Sequence, residues 1–287
     1  MKVVVTGAAG QLGRCLRLSA PRTARVTWCD RGLLDVTDPR QVADSPLLSG
    51  ADVVINTAAF TAVDAAEEQR EAATALNALA PEYLARRCVR EGAHLVHVST
   101  DYVFGAARAG RALIPADPVC PTSVYGSTKA AGEAAIDAVA TANPQWRGYT
   151  VARTAWLFSG RLLPEHRDFV STMLRLAQEG VNPRVVSDQT GSPTFALDLA
   201  RALWEVVGAT PAGIVHLAGS GRATWYDLAR ATFELAGHDP ERVRPVSTAE
   251  YPTAARRPEW SVLASQKELP EWRDGVARAL AATLLAP

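Results

Sequence analysis

The chain has 287 residues, 48% of them hydrophobic and 21% charged, so it is long and apolar enough for folded domains and is not disordered. Its 30 basic and 30 acidic residues cancel, which argues against a protein whose whole surface binds nucleic acid. The four cysteines are scattered without a Cys-x-x-Cys pair, which argues against a disulfide framework or a cysteine zinc site. No signal-peptide pattern follows Met1, and no apolar run reaches the roughly 18 residues of a membrane helix. We therefore expect a cytoplasmic protein with no membrane segment.

The first half of the sequence alternates between short apolar runs and helical patterns. Strands are predicted at 2–6, 25–29, 52–59, 93–98 and 149–153. Helices are predicted between them, at 11–19, 67–91 and 122–142. Strands that alternate with helices of about ten or more residues are typical of right-handed crossovers and a parallel sheet.

The pattern is less regular after residue 153. Helices are predicted at 169–180, 195–208, 225–237 and 272–286, the last with apolar Val276, Leu280 and Leu284, and extended segments at 184–187, 213–219 and 243–247. We predict an α/β protein with a doubly wound (Rossmann) parallel sheet. The dinucleotide-binding domain is placed at 1–155, together with part of 184–208. A smaller, mixed α/β substrate-binding region takes up most of 156–287.

Three glycines follow the first predicted strand, in the segment TGAAGQLG at 6–13. Gly7 allows a tight turn, Gly10 lets the backbone approach a pyrophosphate, and Gly13 lets the following helix pack close to the sheet. The helix N-terminus then offers free N–H groups to phosphate. This context favours dinucleotide binding over an ordinary tight turn.

Asp30 follows the second strand, 17 residues after Gly13, where an acid usually contacts the adenosine ribose hydroxyls. Arg31 comes next and suits a 2′-phosphate, so the choice between NADH and NADPH stays open. The alternative is that both residues simply begin a solvated loop. Asp35 and Val36 lie in the following turn, where they are placed to face the adenine.

Tyr125 and Lys129 lie one helical turn apart on the helix after the fourth strand. A neutral phenol, with a pKa of about 10, is a poor acid near neutrality, and a nearby ammonium lowers that pKa. Lys129 is also one of only three lysines in the chain. The pair therefore favours proton transfer over a surface aromatic–cation contact. Ser99 or Thr100, at the carboxyl end of the fourth strand, is placed to donate to a substrate carbonyl, or is merely a polar strand exit.

Several longer motifs make the chain resemble the dTDP-4-dehydrorhamnose reductase family, within the extended short-chain dehydrogenase/reductase superfamily. The first group is TGAAGQLG, INTAAFTAVDAAE, VSTDYVFG, YGSTKAAGE and RTAWLFSG, in order through residue 160. The second group is DFVSTMLRLA, SDQTGSPT, TWYDLA and YPTAARRPEWSVL. The first group is typical of the superfamily, while STDYVF, SDQTGSPT and the last motif point to the family. The resemblance covers almost the whole length.

The resemblance implies reduction of the C4 ketone of dTDP-4-dehydro-6-deoxy-L-mannose to dTDP-L-rhamnose, with hydride from NADPH or NADH. By it, Tyr125 protonates the ketone oxygen, Lys129 lowers the phenol pKa and binds the nicotinamide ribose, and Thr100 orients the carbonyl or tunes Tyr125. Asp101 contacts the sugar, Trp156 contacts the substrate, and Arg257 pairs with the diphosphate. The remaining implied cofactor contacts are Gly10, Gln11 and Leu12 at the pyrophosphate, Asp30, Asp35 and Val36 at the adenosine half, and Ala58, Ala59, Phe60, Thr61 and Val98 along the cleft.

Some features depart from the family pattern. Phe60 stands where relatives commonly carry a hydrogen-bonding Tyr or His, and the segment 161–168 replaces a shorter loop at the pocket mouth. Some relatives use Mg²⁺ at a dimer interface. A homodimer is therefore not excluded for this chain. No ligand cluster here requires a metal, so no metal site is predicted. His94 and His97 are expected to be packing residues that face opposite ways from one strand.

Four alternatives stand beside this interpretation. Nucleotide-sugar 4,6-dehydratases share the glycine loop and the Tyr/Lys pair, but their signature places Asp-Glu after the Thr, and this chain has Asp101-Tyr102. Epimerases are not excluded, although the STDYVF segment does not resemble theirs. A 4-ketoreductase for another dTDP-deoxyhexose is closer, because product stereochemistry is not legible in the sequence. A non-catalytic NADP-binding regulatory subunit of the same fold, as known for methionine adenosyltransferase, has no need for Thr100, Tyr125 and Lys129 together.

Overall fold

The structure, a computed structural model, describes residues 1–107 and 110–282. Its strands are β1 (Lys2–Thr6), β2 (Arg25–Cys29), β3 (Val53–Asn56), β4 (His94–Thr100), β5 (Tyr149–Thr154), β6 (Leu157–Phe158), β7 (Arg184–Val186), β8 (Thr190–Gly191), β9 (Thr194–Phe195), β10 (Gly213–His216), β11 (Gly219–Ser220), β12 (Ala223–Thr224), β13 (Arg244–Val246) and β14 (Leu269–Glu271). Its α-helices are α1 (Gln11–Leu18), α2 (Pro39–Asp44), α3 (Val63–Glu68), α4 (Arg70–Thr74), α5 (Ala80–Glu91), α6 (Val124–Ala142), α7 (Phe169–Gln178), α8 (Ala196–Ala209), α9 (Trp225–Leu235) and α10 (Trp272–Ala281).

A six-stranded parallel sheet forms the centre, in the order β10-β5-β4-β3-β1-β2. Its central strands carry unbroken apolar runs because helices cover both faces of the sheet. Val3, Val4 and Val5 are fully buried, and their side chains pack into two separate clusters on the two faces. The predicted doubly wound α/β fold is confirmed.

The long helix predicted at 67–91 begins earlier and is not continuous. It consists of α3, α4, a π-helical segment at Ala75–Leu79, and α5. The buried Asn77 side chain in the π-helical segment accepts from the Phe60 N–H at 2.8 Å and donates to the Phe60 carbonyl at 3.1 Å. A π-helical turn of this kind frequently marks a functional site, because it displaces the backbone from its regular path. Here it fixes the loop that carries Phe60.

The other predicted elements agree with the structure to within a few residues. Thr224 caps α9 through a capping box with Asp227, in which each side chain bonds the other residue's backbone N–H. The predicted C-terminal helix is observed as Trp272–Ala281, and residues 283–286 of that prediction, including Leu284, lie outside the described residues.

Several C-terminal elements pack against the N-terminal sheet. β10 pairs with β5 at the sheet edge, and α8 lies on α1, where the Trp204 indole N–H donates to the Leu16 carbonyl at 3.1 Å. The short strands β6–β9, β7–β13, β8–β12 and β11–β14 form separate two-stranded pairs. The division of the chain near residue 155 stays a prediction. Within the described residues, no helix combines the length and the hydropathy of a membrane span.

Candidate functional site

The glycine loop between β1 and α1 is fixed by close backbone approaches. Gly7 has φ +71°, and a Cβ there would lie 2.5 Å from the Ala58 nitrogen. A Cβ on Gly13 would lie 2.5 Å from the Gly7 carbonyl oxygen. Neither position tolerates a side chain, so the loop lies close to β3 and α1 lies close to the loop. Gly10 is the N-cap of α1, and with no capping side chain it leaves the first N–H groups of the helix open to a phosphate.

Two contiguous cavities, of about 550 Å³ and 380 Å³, run along the carboxyl edge of the sheet and share Gly10, Thr57 and Ala59. The predicted residues that line the larger one are Gly7, Gly10, Asp30, Arg31, Asp35, Val36, Ala58, Ala59 and Phe60. Those that line the smaller one are Gly10, Gln11, Leu12, Ala59, Thr61, Val98, Thr100, Asp101, Tyr125, Lys129 and Trp156. Gly13 lies behind the loop and lines neither. A groove of this length, open to the helix N-terminus, fits a dinucleotide.

The side chains of Asp30 and Arg31 have different partners at the wall of the larger cavity. Asp30 accepts from the N–H groups of Gly32 at 2.9 Å and Leu33 at 3.1 Å, which holds its carboxylate at the groove wall. The Arg31 side chain is 87% exposed, and its Nε donates to Asp35 at 3.3 Å. The carboxylate is therefore fixed in place, while the guanidinium is engaged by an acid on the surface.

The side chain of Gln11 binds residues that follow β5. The side-chain amide donates to the Ser159 hydroxyl and to Asp168, both at 3.1 Å. Asp168 ends the segment that departs from the family pattern and caps α7 through a capping box with Ser171. The amide therefore ties α1 to the C-terminal region, while Gln11 also lines the smaller cavity.

Lys129 and Tyr125 project from α6 into the smaller cavity, as their spacing predicts. Lys129 is fully buried, and its amine donates to the Val98 carbonyl at 2.7 Å and lies 3.2 Å from Nε2 of His97. Thr100 ends β4 beside them. Its hydroxyl donates to Asp101 at 3.1 Å and accepts from the Tyr102 N–H at 3.2 Å.

Acidification of the Tyr125 phenol by Lys129 stays a prediction. The Lys129 amine itself is directed to Val98 and His97. Burial raises the pKa of Tyr125 to about 12, an increase that the Thr100 hydroxyl opposes and the Asp101 carboxylate adds to. Tyr125 consequently keeps its proton at neutral pH, which is the state that a proton donor needs.

The Ser99 hydroxyl is committed to a buried carboxylate. It donates to Glu133, which also forms a buried ion pair with Arg153, with Nη2 to Oε2 at 2.6 Å. Ser99 and Thr100 both line the smaller cavity, and Thr100 stays the predicted carbonyl donor because the acceptor of its own hydroxyl, Asp101, is also a cavity residue. The Glu133–Arg153 pair, which sequence reasoning missed, joins α6 to β5 directly behind Tyr125 and Lys129.

Asp101 and Trp156 both line the smaller cavity. Burial raises the pKa of Asp101 to about 6, and its Oδ2 has no hydrogen-bond partner within the described residues. Trp156 has φ +47° and stacks on Trp225, with ring centroids 3.7 Å apart and planes at 5°. A Cβ on Gly191 would lie 2.5 Å from the Trp156 ring, so glycine is needed there. Trp225 belongs to the TWYDLA motif, from which the sequence predicted no role for it.

Arg257 lies apart from Tyr125 and Lys129, in a third cavity of about 300 Å³ that shares Trp225 with the smaller cavity. Its guanidinium forms two hydrogen bonds with the Asp64 carboxylate, at 3.0 Å and 2.7 Å. Asp64 is the second residue of α3, next to Val63, which lines the smaller cavity, so this pair links α3 to the third cavity. Sequence reasoning missed Asp64. It also missed His166, which belongs to the divergent 161–168 segment and lines the smaller cavity. Neither carries a local motif that would have revealed it.

Comparisons with known proteins decide the family. The model of the RmlD substrate binding domain family matches residues 1–284. The dTDP-4-dehydrorhamnose reductase of Mycobacterium tuberculosis is 43% identical over 98% of this chain and 93% of its own length. The chain belongs to the dTDP-4-dehydrorhamnose reductase family. The resemblance inferred from the sequence is thereby confirmed.

Two further similarities add detail to the family assignment. The crystal structure of dTDP-4-dehydrorhamnose reductase from Bacillus anthracis in complex with NADP has a TM-score of 0.90 and 32% identity, with 98% of this chain and 99% of that one covered. A probable dTDP-4,6-dihydroxy-2-methyloxan-3-one 4-ketoreductase of Streptomyces antibioticus is 42% identical over 100% of this chain and 97% of its own length. The family therefore includes relatives named for different dTDP-linked ketones. Among the described residues, no group of three or more His, Cys, Asp or Glu is arranged to hold a metal ion.

Proposed function

We propose that this protein reduces the C4 ketone of dTDP-4-dehydro-6-deoxy-L-mannose to dTDP-L-rhamnose with NADPH or NADH. The observation that carries the proposal is the convergence of Thr100, Tyr125 and Lys129 in a cavity continuous with the glycine-loop groove. Family membership supplies the substrate class, and the groove supplies room for the dinucleotide. Both point to an NAD(P)H-dependent oxidoreductase of dTDP-rhamnose biosynthesis.

The residues of the chain account for the proton half of the reaction. A bound reduced nicotinamide supplies the hydride to C4. Tyr125 breaks its O–H bond as the ketone oxygen gains charge, and the new O–H bond on the sugar completes the alcohol. Thr100 orients the same oxygen from the end of β4, and Lys129 holds the nicotinamide ribose and restores the phenol proton.

The other cavity residues are assigned to the sugar nucleotide. Asp101 presents an unpartnered buried oxygen, which is suited to a sugar hydroxyl. The stacked rings of Trp156 and Trp225 form an apolar wall. Both line the smaller cavity, and Trp225 also lines the third cavity. In the third cavity, Asp64 holds the guanidinium of Arg257. The planar guanidinium can donate two parallel hydrogen bonds, which suits a diphosphate. The substrate would thus span the two cavities.

Asp30→Ala should weaken NADH binding more than NADPH binding, by about tenfold. The carboxylate accepts from ribose hydroxyls only when the 2′ position is free, and one charge-assisted hydrogen bond contributes about 1.5 kcal/mol. Fluorescence titration of each reduced cofactor measures the two dissociation constants. Asp44→Ala, at an exposed aspartate that lines neither cavity, is the matched control and should leave both dissociation constants unchanged. Equal losses for NADH and NADPH in Asp30→Ala would remove Asp30 from ribose recognition.

A 4-ketoreductase acting on another dTDP-deoxyhexose is the second candidate. It is favoured by the relative from Streptomyces antibioticus, which covers the whole chain at an identity close to that of the M. tuberculosis reductase. The divergent 161–168 segment, through His166, gives this protein its own residues at the cavity mouth. A non-catalytic subunit of the same fold is the third, and it leaves the Tyr125 and Lys129 arrangement without a purpose.

Product identification separates these candidates. The purified protein is incubated with NADPH or NADH and a series of dTDP-4-keto-6-deoxyhexoses, and each product is assigned by NMR. dTDP-L-rhamnose as the preferred product supports the proposal, and faster formation of another 4-epimer or deoxysugar supports the second candidate. Binding of cofactor without turnover of any ketone supports the regulatory subunit. A cytoplasmic location and a homodimer stay predictions, the latter testable by light scattering.

A further inference from the structure

A row of buried polar side chains crosses the sheet behind Lys129. Strand pairing puts Thr6 of β1 beside Asn56 of β3, and Asn56 beside His97 of β4. All three are at most 1% exposed. Lys129 closes the row from α6, with its amine 3.2 Å from Nε2 of His97. The roles assigned so far to the cavity make no use of this row.

Hydrogen-bond direction along the row can be derived from one fixed donor. The Ala58 N–H bonds the side-chain oxygen of Asn56 at 3.1 Å, and a backbone N–H can only donate. The Thr6 hydroxyl donates to the same oxygen at 2.7 Å. The other end of the amide, its NH₂ group, therefore faces Nδ1 of His97, at 3.0 Å. Nδ1 must accept, so the neutral imidazole carries its hydrogen on Nε2.

That hydrogen points at Lys129. An ammonium group has donors only, so an N–H aimed at it is unfavourable, whereas a neutral amine offers a lone pair that accepts the N–H. The Val98 carbonyl already takes one amine hydrogen, at 2.7 Å, which orients the group. The hydrogen-bond network on the sheet side thus opposes the ammonium form of Lys129 and stabilises the neutral amine.

We propose that His97 is a positioning residue that directs its Nε2–H at Lys129 and so favours the neutral amine, an inference that rests on the proposed reductase function. When Tyr125 gives its O–H proton to the substrate oxygen, the phenolate recovers a proton whose source is the Lys129 ammonium. The amine left behind accepts the His97 N–H, and solvent then returns a proton to it. His97 thus makes it easier for Lys129 to release its proton. Over the full cycle, each proton given up by Tyr125 or Lys129 is replaced.

The electrostatic surroundings agree with this role. Burial lowers the pKa of Lys129 to about 8, and the Glu133 carboxylate opposes that decrease. Burial, together with the Lys129 charge, holds the pKa of His97 well below its ordinary value, so this imidazole is neutral at pH 7. Among the described residues, Glu133 and Tyr125 on α6, Arg153 on β5 and His97 on β4 are charged or titratable groups on the elements packed around Lys129, and Asp101, Tyr102 and His166 share its cavity.

The three lysines of the chain make Lys129 directly observable. In protein labelled with ¹³C at the lysine ε carbon, Lys2→Arg and Lys267→Arg identify the other two signals, and a pH titration follows Lys129. His97→Phe removes the N–H while keeping the site buried, so we expect the pKa of Lys129 to rise by about one unit, the equivalent of one net hydrogen bond. His97→Gln, whose amide can accept from Asn56 and donate to Lys129, should restore the wild-type titration.

His94→Phe is the matched control. His94 lies on the same strand and is equally buried, but its ring faces Thr150, at 2.9 Å, and not Lys129. This variant should leave the Lys129 titration unchanged. An unchanged or lower pKa of Lys129 in His97→Phe, or an equal rise in His94→Phe, would overturn the proposal.

The wild-type protein gives a test that needs no substitution. Imidazole ¹⁵N chemical shifts distinguish a nitrogen that carries hydrogen from one that does not, and we expect His97 to carry it on Nε2. A hydrogen on Nδ1 would refute the proposal, because Nε2 would then accept from an ammonium. These NMR readouts need neither substrate nor turnover, so absence of ketone reduction would refute the proposed function alone.

Discussion

Tyr125→Phe should lower kcat for ketone reduction by about 100-fold or more and leave the dissociation constant of the reduced cofactor within about twofold. The substitution removes only the hydroxyl that carries the transferred proton, and general acid catalysis is typically worth 10² to 10⁴. The partly buried phenol is protonated at neutral pH, so its loss leaves the ketone oxygen without a proton donor from α6. Steady-state kinetics with a dTDP-4-keto sugar and cofactor fluorescence titration provide the two measurements.

Tyr149→Phe is a suitable control for this result. Its hydroxyl donates to Asp137 at 2.7 Å, outside the cavity, so kcat should stay near the wild-type value. If Tyr125→Phe turned over the ketone at the wild-type rate, Tyr125 would not be the proton donor, and Thr100 would be the next hydroxyl to test.

Glu133→Gln should lower the free energy of unfolding by about 3 kcal/mol. Arg153 is 1% exposed, and the substitution leaves its guanidinium buried without a counter-charge. The Pro115 carbonyl and the Phe104 ring keep some contact with it, which places the loss at the lower end of the usual range. Urea denaturation followed by circular dichroism measures the change.

Two comparisons test the cause of that loss. Glu82→Gln breaks the exposed pair with Arg86 and should cost less than about 1 kcal/mol, because water screens both charges. Arg153→Met added to Glu133→Gln removes the unpaired charge and should recover part of the stability. A small effect of Glu133→Gln alone would mean that the buried pair contributes little, and that α6 is held mainly by apolar packing.

Much of the fold followed from local patterns. The strands at 2–6 and 25–29 were predicted with the observed bounds, because a short apolar run between turn signals leaves few alternatives. The long helix at 67–91 was predicted as one element, because composition cannot show that Asn77 bonds a loop 17 residues away. Helix bounds were otherwise close where a cap was recognisable, as at Thr224.

The candidate site divides in the same way. The glycine loop and the Tyr125–Lys129 pair are spacings within one turn or one helix, so both can be recognised in the sequence alone. The choice of Thr100 over Ser99 needed Glu133, 34 residues further along the chain, which takes the Ser99 hydroxyl. The sequence placed Arg257 at the diphosphate but could not show that Asp64, 193 residues away, holds its guanidinium.

The sequence by itself determined the fold class, the dinucleotide loop, the pair of residues on α6 and the family, since each is recorded in periodicity or in short fixed spacings. The surroundings of that pair come from long-range packing. Burial raises the pKa of Tyr125, and the Lys129 amine lies beside His97, which no sequence pattern separates from His94. Strand register brings Thr6, Asn56 and His97 side by side, and register is a property of three strands together. Burial and hydrogen-bond direction are set by such long-range neighbours, and no single stretch of the chain encodes them.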